Sequence, residues 1–489
     1  MFARKYSEEL HEKTERAVTD RQERLLPIRL VSVFFVLLFA ALLTYVTWYA
    51  LSNKQELLNN GYNGQQTALA KKNVRGTIYS AHNEVLAETV TDEAGNESRV
   101  YPYANKMAHI VGYSTHGKSG VELAANYYLL NSTSSLPTRA ALYEDGLKAP
   151  ADDVYTTLDV NLQEVCYKAL GAFKGAIVVT NPKTGEILAM VSKPDYDPNT
   201  IDADWAALTA DDGSSELVNR ATQGLYPPGS TFKIVTALEY IRENPTSYQN
   251  YGFSCSGHFT ADGETINCYH GQSHGKVDFT SSFAKSCNSS FANMGTTLDD
   301  GAFSKTLNNL LFFNDLPLDV PYNKSSAFCD STTPTGEMMQ LSIGQGETLM
   351  SPMHLNFITQ AIANGGRLMT PYVIDRVVNA EGKVVMRSAP KEFRRLMSEE
   401  EAFILQDLME EVVMNGTGRR LQEASYSAAG KTGSAEFNTG TDDSHAWFTG
   451  YAPAEDPEVS VTIIIENAGS GGEYAVPIAK RVFDAYFGL

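Results

Sequence analysis

Five cysteines in 489 residues are too few to staple a small secreted fold. Only one long apolar run occurs, which excludes a many-spanning membrane protein. Internal repeats and low-complexity tracts are missing, which excludes collagen-like and disordered chains. Positive charge is scarce: 39 Lys+Arg stand against 58 Asp+Glu, a net charge of −19. That balance argues against gripping a phosphate backbone, so no nucleic acid partner is expected. It equally disfavours lying flat on anionic lipid. What remains is ordinary globular content, 43% hydrophobic and 20% charged, enough for a sizeable core. At roughly 150 residues per domain the length suggests about three domains.

The apolar run is Leu30 to Leu51, 22 residues without a charge. As a helix it spans about 33 Å, which suits a bilayer core of about 30 Å. Trp48 and Tyr49 stand near its distal end, where amphipathic rings favour the membrane interface. Arg4, Lys5, Lys13, Arg16, Arg21, Arg24 and Arg29 precede it, and only Lys54 follows closely. The bias predicts a single-pass anchor with residues 1–29 cytoplasmic, 30–51 in the membrane and the rest outside the cell. A cleaved signal peptide fits less well, because the run exceeds a typical h-region of about 7–15 residues.

Residues 52–153 are polar and turn-rich, with short β-like runs at Arg75–Tyr79 and Val85–Ala87; they predict a small pedestal module. From residue 154 to 489 the character changes. Val154–Leu158 reads as a strand and Val160–Phe173 as a helix. Gly175–Thr180 and Glu186–Ser192 flank the turn Asn181–Gly185, a hairpin signal. Ala446–Tyr451 and Val459–Ile465 read as strands, and Tyr474–Phe487 as a closing helix. Strands at both ends with helices between them predict an α/β (α+β) domain whose sheet joins distant segments.

No G-x-S-x-G elbow and no H-E-x-x-H motif occurs. The set S-x-x-K, S-x-N and K-[ST]-G does occur, although each piece alone is cheap. S-x-x-K begins at Ser230, Ser273, Ser282 and Ser388; K-[ST]-G begins at Lys118, Lys183 and Lys431; S-x-N occurs once, at Ser286-Cys-Asn288. Serine and lysine three apart on a rigid helix share a face. Pro390 spoils the Ser388 copy, and Gly275 weakens the Ser273 copy. Ser230 follows Pro227-Pro-Gly229 and leads into the apolar-periodic run Ile234–Ile241, which predicts a buried helix with Ser230 at its N-terminus. A capping role would explain an isolated serine there. Order decides otherwise: Ser286 follows after 56 residues and Lys431 after another 145, just ahead of the C-terminal strands. Lys183-Thr-Gly185 and Lys118-Ser-Gly120 read as simple turns.

These residues resemble the class B penicillin-binding proteins, the monofunctional peptidoglycan DD-transpeptidases. Tyr226–Lys233 is similar to the nucleophile motif, Lys285–Phe291 to the second and Gly430–Glu436 to the third. Gly175–Met190, Ile343–Glu347 and His445–Pro453 are softer matches; Arg75-Gly-Thr-Ile78 and Gly120-Val-Glu122 resemble class B marks in the first module, although Ser80-Ala81 replaces the usual acidic-basic pair. The resemblance implies a penicillin-binding transpeptidase and serine β-lactamase-like fold, a central antiparallel sheet flanked by helices. It implies D-Ala-D-Ala transpeptidation on stem peptides, covalent inhibition by β-lactams, and neither metal nor organic cofactor. Alternatives are a DD-carboxypeptidase or β-lactamase-type hydrolase on the same scaffold, and a non-catalytic sensor or scaffold. A polytopic glycan polymerase is the expected partner.

The roles implied are Ser230 as nucleophile, Lys233 as its base, Ser286 as proton relay, Asn288 as a holder of Lys233 and substrate, and Lys431 as a source of positive potential. Thr432, Gly433 and Ser434 would bind the substrate carboxylate, and the backbone N–H groups of Ser230 and Ser434 would form the oxyanion hole. Cys255 and Cys268 bracket a loop bearing the turn signal Asp262-Gly263. Outside the membrane a disulfide between them is expected; free thiols, or a metal held with His258, His270 or His274, are the alternatives. Cys166 and Cys287 read as packing residues.

Overall fold

The computed structural model describes residues 2–52, 64–210, 215–436 and 444–489. They fall into two units, residues 1–63 and 64–489. In the first, α1 (Phe2–Ser52) is one helix of 51 residues that carries the apolar run, with the side chains of residues 30–50 exposed. It is the one helix long and apolar enough to cross a membrane among the described residues. Lys54 lies outside the described residues.

The second unit holds two large sheets and, among the described residues, four two-stranded ones. The first has six strands: β1 (Ile78–Tyr79), β2 (Val85–Thr91), β3 (Glu97–Val100), β4 (Asp153–Thr156), and two late segments, Ile374–Val378 and Val384–Arg387. Their order from one edge is Val384–Arg387, Ile374–Val378, β4, β1, β2, β3. β4 pairs parallel with β1 and antiparallel with Ile374–Val378, with Val154 opposite both Ile78 and Val377. All three side chains are fully buried.

The second sheet is antiparallel. Following α2 (Val160–Leu170), which Asp159 caps by accepting from Leu162 N–H and which ends at Gly171, the chain forms β5 (Gly175–Thr180) and β6 (Ile187–Lys193). The C-terminal region adds β7 (Ala429–Glu436), β8 (Ser444–Ala452) and β9 (Val459–Ile465), giving the order β7-β8-β9-β5-β6. Strand periodicity splits the apolar side chains between two layers. Ile177, Val179, Val461 and Ile463 pack with α2 and the closing helix α3 (Gly471–Tyr486), while Ala176, Val178 and Trp447 join the larger core on the other face. There the buried helix Pro352–Ala363 crosses the sheet, and its Asn356 and Thr359 hydrogen-bond to Thr180, Ser460, Thr462 and Thr449. Those pairings satisfy hydroxyls that a purely apolar strand face would not carry. β7 is an edge strand, so one side of its backbone is open to a ligand.

Candidate active site

Ser230 stands in a 3-10 turn, Gly229–Phe232, which runs directly into the helix Lys233–Glu243. The expected helix N-terminus is therefore a tighter turn, and the α-helix starts at Lys233. Gly229 causes this: its φ is +52°, and a Cβ there would lie 2.9 Å from the Ala435 Cβ on β7. The turn is thus pressed against the edge strand. Gly433 allows the same approach from the other side, since a Cβ would meet Pro228 O and Thr231 Cγ2 at 3.0 Å. The segment before Ser230 is pinned by Trp447 Nε1, which donates to Pro227 O at 3.0 Å, and by Tyr226 OH, which donates to Glu466 at 2.8 Å.

The second motif lies between the short helices Phe279–Ala284 and Asn288–Gly295. Ser286 adopts φ +58°, a left-handed conformation that a non-glycine residue takes at a cost of about 1–3 kcal/mol. The conformation sets Ser286 Oγ between two lysines. Lys431 Nζ donates to it at 2.9 Å, and Lys233 Nζ lies 3.3 Å away. Lys233 Nζ also donates to Ser286 O at 2.8 Å and to Asn288 Oδ1 at 2.6 Å, and it stands 3.0 Å from Ser230 Oγ. Asn288 is oriented by its own Nδ2, which donates to Asn267 O at 3.0 Å.

Donor arithmetic assigns the roles. A carbonyl and an amide oxygen only accept, so they consume two N–H groups of Lys233. In the neutral amine these are all its hydrogens, and the lone pair is left for the Ser230 hydroxyl. Burial supplies the neutrality: Lys233 is fully buried, which pulls it down to about 7 against the opposing influence of Cys287 and Cys268. Lys431 is the residue expected as a source of positive potential. It too is fully buried, and burial first, then the neighbouring Lys233, lower it well below its usual value.

Both amines sit behind a cavity of about 830 Å³ lined by Ser230, Ser286, Asn288, Thr432, Gly433 and Ser434. All of the motif residues expected from sequence thus meet at one cleft. Thr432 Oγ1 is 2.5 Å from Thr417 Oγ1, and Ser434 Oγ accepts from Gly471 N–H at 3.2 Å. The Gln345 amide, from the soft match at Ile343–Glu347, pairs with both backbone groups of Glu436 at 3.0 and 3.1 Å and fastens the end of β7. Lys183 and Lys118 lie elsewhere: Lys183 pairs with Asp456 at 2.5 Å, and Lys118 is half-buried near Arg75.

One wall of the cleft is the segment Thr265–Gln272, part of it from the hairpin His258–Ala261 and Glu264–Asn267. Its turn residues Asp262 and Gly263 have φ of +47° and +87°, as a tight hairpin of this type requires. Cys255 and Cys268 are free thiols with Sγ atoms 3.7 Å apart. Cys287, read from sequence as packing, joins them: its Sγ is 3.8 Å from that of Cys268. His274 Nδ1 stands 3.6 Å from Cys255 Sγ, whereas His258 and His270 are not among the clustered donors. The four donor atoms of Cys255, Cys268, Cys287 and His274 lie within 4.8 Å of one another. Three thiols and an imidazole are a donor set that suits tetrahedral zinc. Hydrogen bonding from Cys287 lowers Cys268 toward the thiolate that such coordination requires. The sequence signal was obscured because the third thiol sits inside S-x-N.

Comparison with known proteins agrees with this geometry. The family of the penicillin binding protein transpeptidase domain matches residues 175–484, and that of the penicillin binding protein A dimerisation domain matches residues 75–144. The peptidoglycan D,D-transpeptidase PbpA of Mycolicibacterium smegmatis is 30% identical over 84% of this chain and 88% of its own length. The D,D-transpeptidase domain of a peptidoglycan glycosyltransferase from Eggerthella lenta superposes with a TM-score of 0.76 at 30% identity, covering 85% of this chain and 99% of that one. A ceftriaxone acyl-enzyme complex of penicillin-binding protein A from M. tuberculosis gives 0.77 at 27% identity, over 85% and 99%. With a transpeptidase domain, a dimerisation domain and the motif set at one cleft, the chain belongs to the class B penicillin-binding proteins.

Proposed function

We propose that this protein cross-links peptidoglycan stem peptides by serine acyl transfer and is inhibited covalently by β-lactams. The observation that carries this reading is the Ser230 hydroxyl 3.0 Å from an amine that also donates to two pure acceptors, Ser286 O and Asn288 Oδ1. Lys233 takes the Ser230 proton as Oγ attacks the carbonyl between the two terminal D-Ala residues. Ser286, within reach of both amines, passes a proton to the departing D-Ala nitrogen. Thr432 and Ser434 receive the terminal carboxylate beside the edge of β7, and backbone N–H groups of Ser230 and Ser434 face the developing oxyanion. The acyl group then leaves Ser230 for the amine of a second stem peptide. A β-lactam enters as the D-Ala-D-Ala end does and stops at the acyl-enzyme.

The same reading assigns residues 1–29 to the cytoplasm, 30–51 to the membrane, 52–153 to a pedestal module and 154–489 to an extracytoplasmic transpeptidase domain. The anchor and pedestal would meet a polytopic glycan polymerase. A zinc ion held by Cys255, Cys268, Cys287 and His274 would be structural, because four protein ligands leave no open position for substrate. It would tie the cleft wall to the S-x-N motif. Labelling with a fluorescent penicillin tests the central step: the wild type is modified at Ser230, and Ser230→Ala is not. Covalent labelling of Ser230→Ala would overturn it.

A further inference from the structure

The loop Gly416-Thr-Gly418 follows the helix Glu399–Asn415 and reaches the catalytic cleft, which Thr417 lines together with Thr432 and Ser434. None of the motifs read from the sequence contains Thr417. The loop is fastened to the second motif: Thr417 N–H donates at 3.2 Å to the carbonyl of Ala284, two residues before Ser286. A Cβ on Gly416 would lie 2.2 Å from that same oxygen, so only glycine permits the approach. The result is a close contact with the third motif. Thr417 Oγ1 stands 2.5 Å from Thr432 Oγ1 on β7.

Counting hydrogens gives this contact a direction. A hydroxyl carries one hydrogen and accepts through its lone pairs. Thr417 and Thr432 therefore hold two hydrogens between them, and their contact uses one. Among the described residues neither hydroxyl has another partner. Thr432 and Ser434 stand two apart on β7 and so share a face of the strand. Ser434 Oγ accepts from Gly471 N–H at 3.2 Å, which leaves its own hydrogen for a ligand. A carboxylate lying across that face only accepts, and takes its second hydrogen from Thr432. Thr432 supplies it only when Thr417 is the donor in the shared contact. In the opposite sense Thr432 would turn lone pairs towards the anion. The order Thr417 to Thr432 to carboxylate also polarises both hydroxyls the same way, and the ionised acceptor strengthens the chain.

We propose that Thr417 is a positioning residue for the terminal carboxylate of the donor peptide and of a β-lactam: it donates to Thr432 and so aims the Thr432 hydrogen into the cleft. The proposal rests on the acyl-transfer reading above. Acylation of the full-length protein in detergent is followed by intact-mass spectrometry with benzylpenicillin and with its methyl ester, which lacks the anion. Thr417→Val keeps the shape and removes the hydroxyl, Thr417→Ala is a second variant without it, and Thr417→Ser restores it. With benzylpenicillin, loss of the hydroxyl should raise the half-saturating concentration about three- to tenfold, the range of one net hydrogen bond, while the limiting acylation rate stays within twofold. Thr417→Ser should return to within twofold of the wild type. With the ester, Thr417→Val and the wild type should agree within twofold, an outcome that a distorted cleft would not give. In a Thr432→Val background, Thr417→Val should add nothing, because the two hydroxyls act as one chain. The proposal is overturned if the loss with benzylpenicillin is absent, falls equally on the ester, survives in Thr417→Ser, or adds in full to Thr432→Val. A wild type that benzylpenicillin does not acylate at all would refute the acyl-transfer reading itself, and this proposal with it.

Discussion

Acylation of Ser230 should rise about tenfold between pH 6 and pH 8 and then level. In the proposed mechanism the active form of Lys233 is the neutral amine, and the Ser230 hydroxyl lies 3.0 Å from its Nζ. Burial lowers this lysine from 10.5 to about 7. At pH 6 roughly a tenth of it is neutral, and at pH 8 roughly nine-tenths. A lysine at its ordinary value would instead give a rise of about a hundredfold over the same interval, with no plateau before pH 10. The measurement is the second-order acylation rate by quenched flow with a fluorescent penicillin, whose carboxylate stays ionised throughout. A flat profile from pH 5.5 to 8.5, or a slope that continues past pH 9, would refute Lys233 as the base. The same depression acts on stability. Between about pH 7 and 10.5 the unfolded chain binds a proton that the fold refuses, so this residue's contribution to stability rises with pH across that window.

Three further outcomes follow from packing. Gly229→Ala forces a Cβ to 2.9 Å from Ala435 at φ +52°, so acylation should drop at least tenfold and stability by about 1–3 kcal/mol, read by labelling and urea unfolding. An unchanged labelling rate would contradict the close approach of the turn to β7. Glu122→Ala leaves two buried guanidinium groups, those of Arg75 and Arg99, unpaired and should cost about 3–5 kcal/mol; an unaltered melting temperature would show that the triad is not structural. Elemental analysis of protein purified without chelator should find one zinc per chain, lost in Cys268→Ser. Alkylation-resistant Cys255 and Cys268 without metal would establish the disulfide instead.

Legibility followed local pattern. β9 is the predicted Val459–Ile465, because a short run of β-branched residues broken only by Ser460 favours a strand. The β5–β6 hairpin follows its turn within a residue or two. The Ser230, Ser286 and Lys431 motifs were readable from order, but the turn geometry at Ser230 was not, since it depends on contact between Gly229 and a strand some 200 residues later. The burial of Lys431 was not readable, because its neighbours Gly430 and Thr432 say nothing of it. Cys287 was missed for the same reason: what makes it a donor is the approach of Cys268 and His274 in space. The strand Ile374–Val378 carries Asp375 and Arg376, so no apolar alternation announces it.

That last strand has a consequence for how the protein is made. The sheet of the first module is completed by Ile374–Val378, which pairs with β4 more than 200 residues upstream. As the chain is made, β1 to β4 therefore wait, with the flank of β4 unpaired, until most of the catalytic domain has been delivered. Truncated chains that end before residue 378 should be insoluble or protease-sensitive, and a pedestal expressed alone needs the distant hairpin grafted back to it.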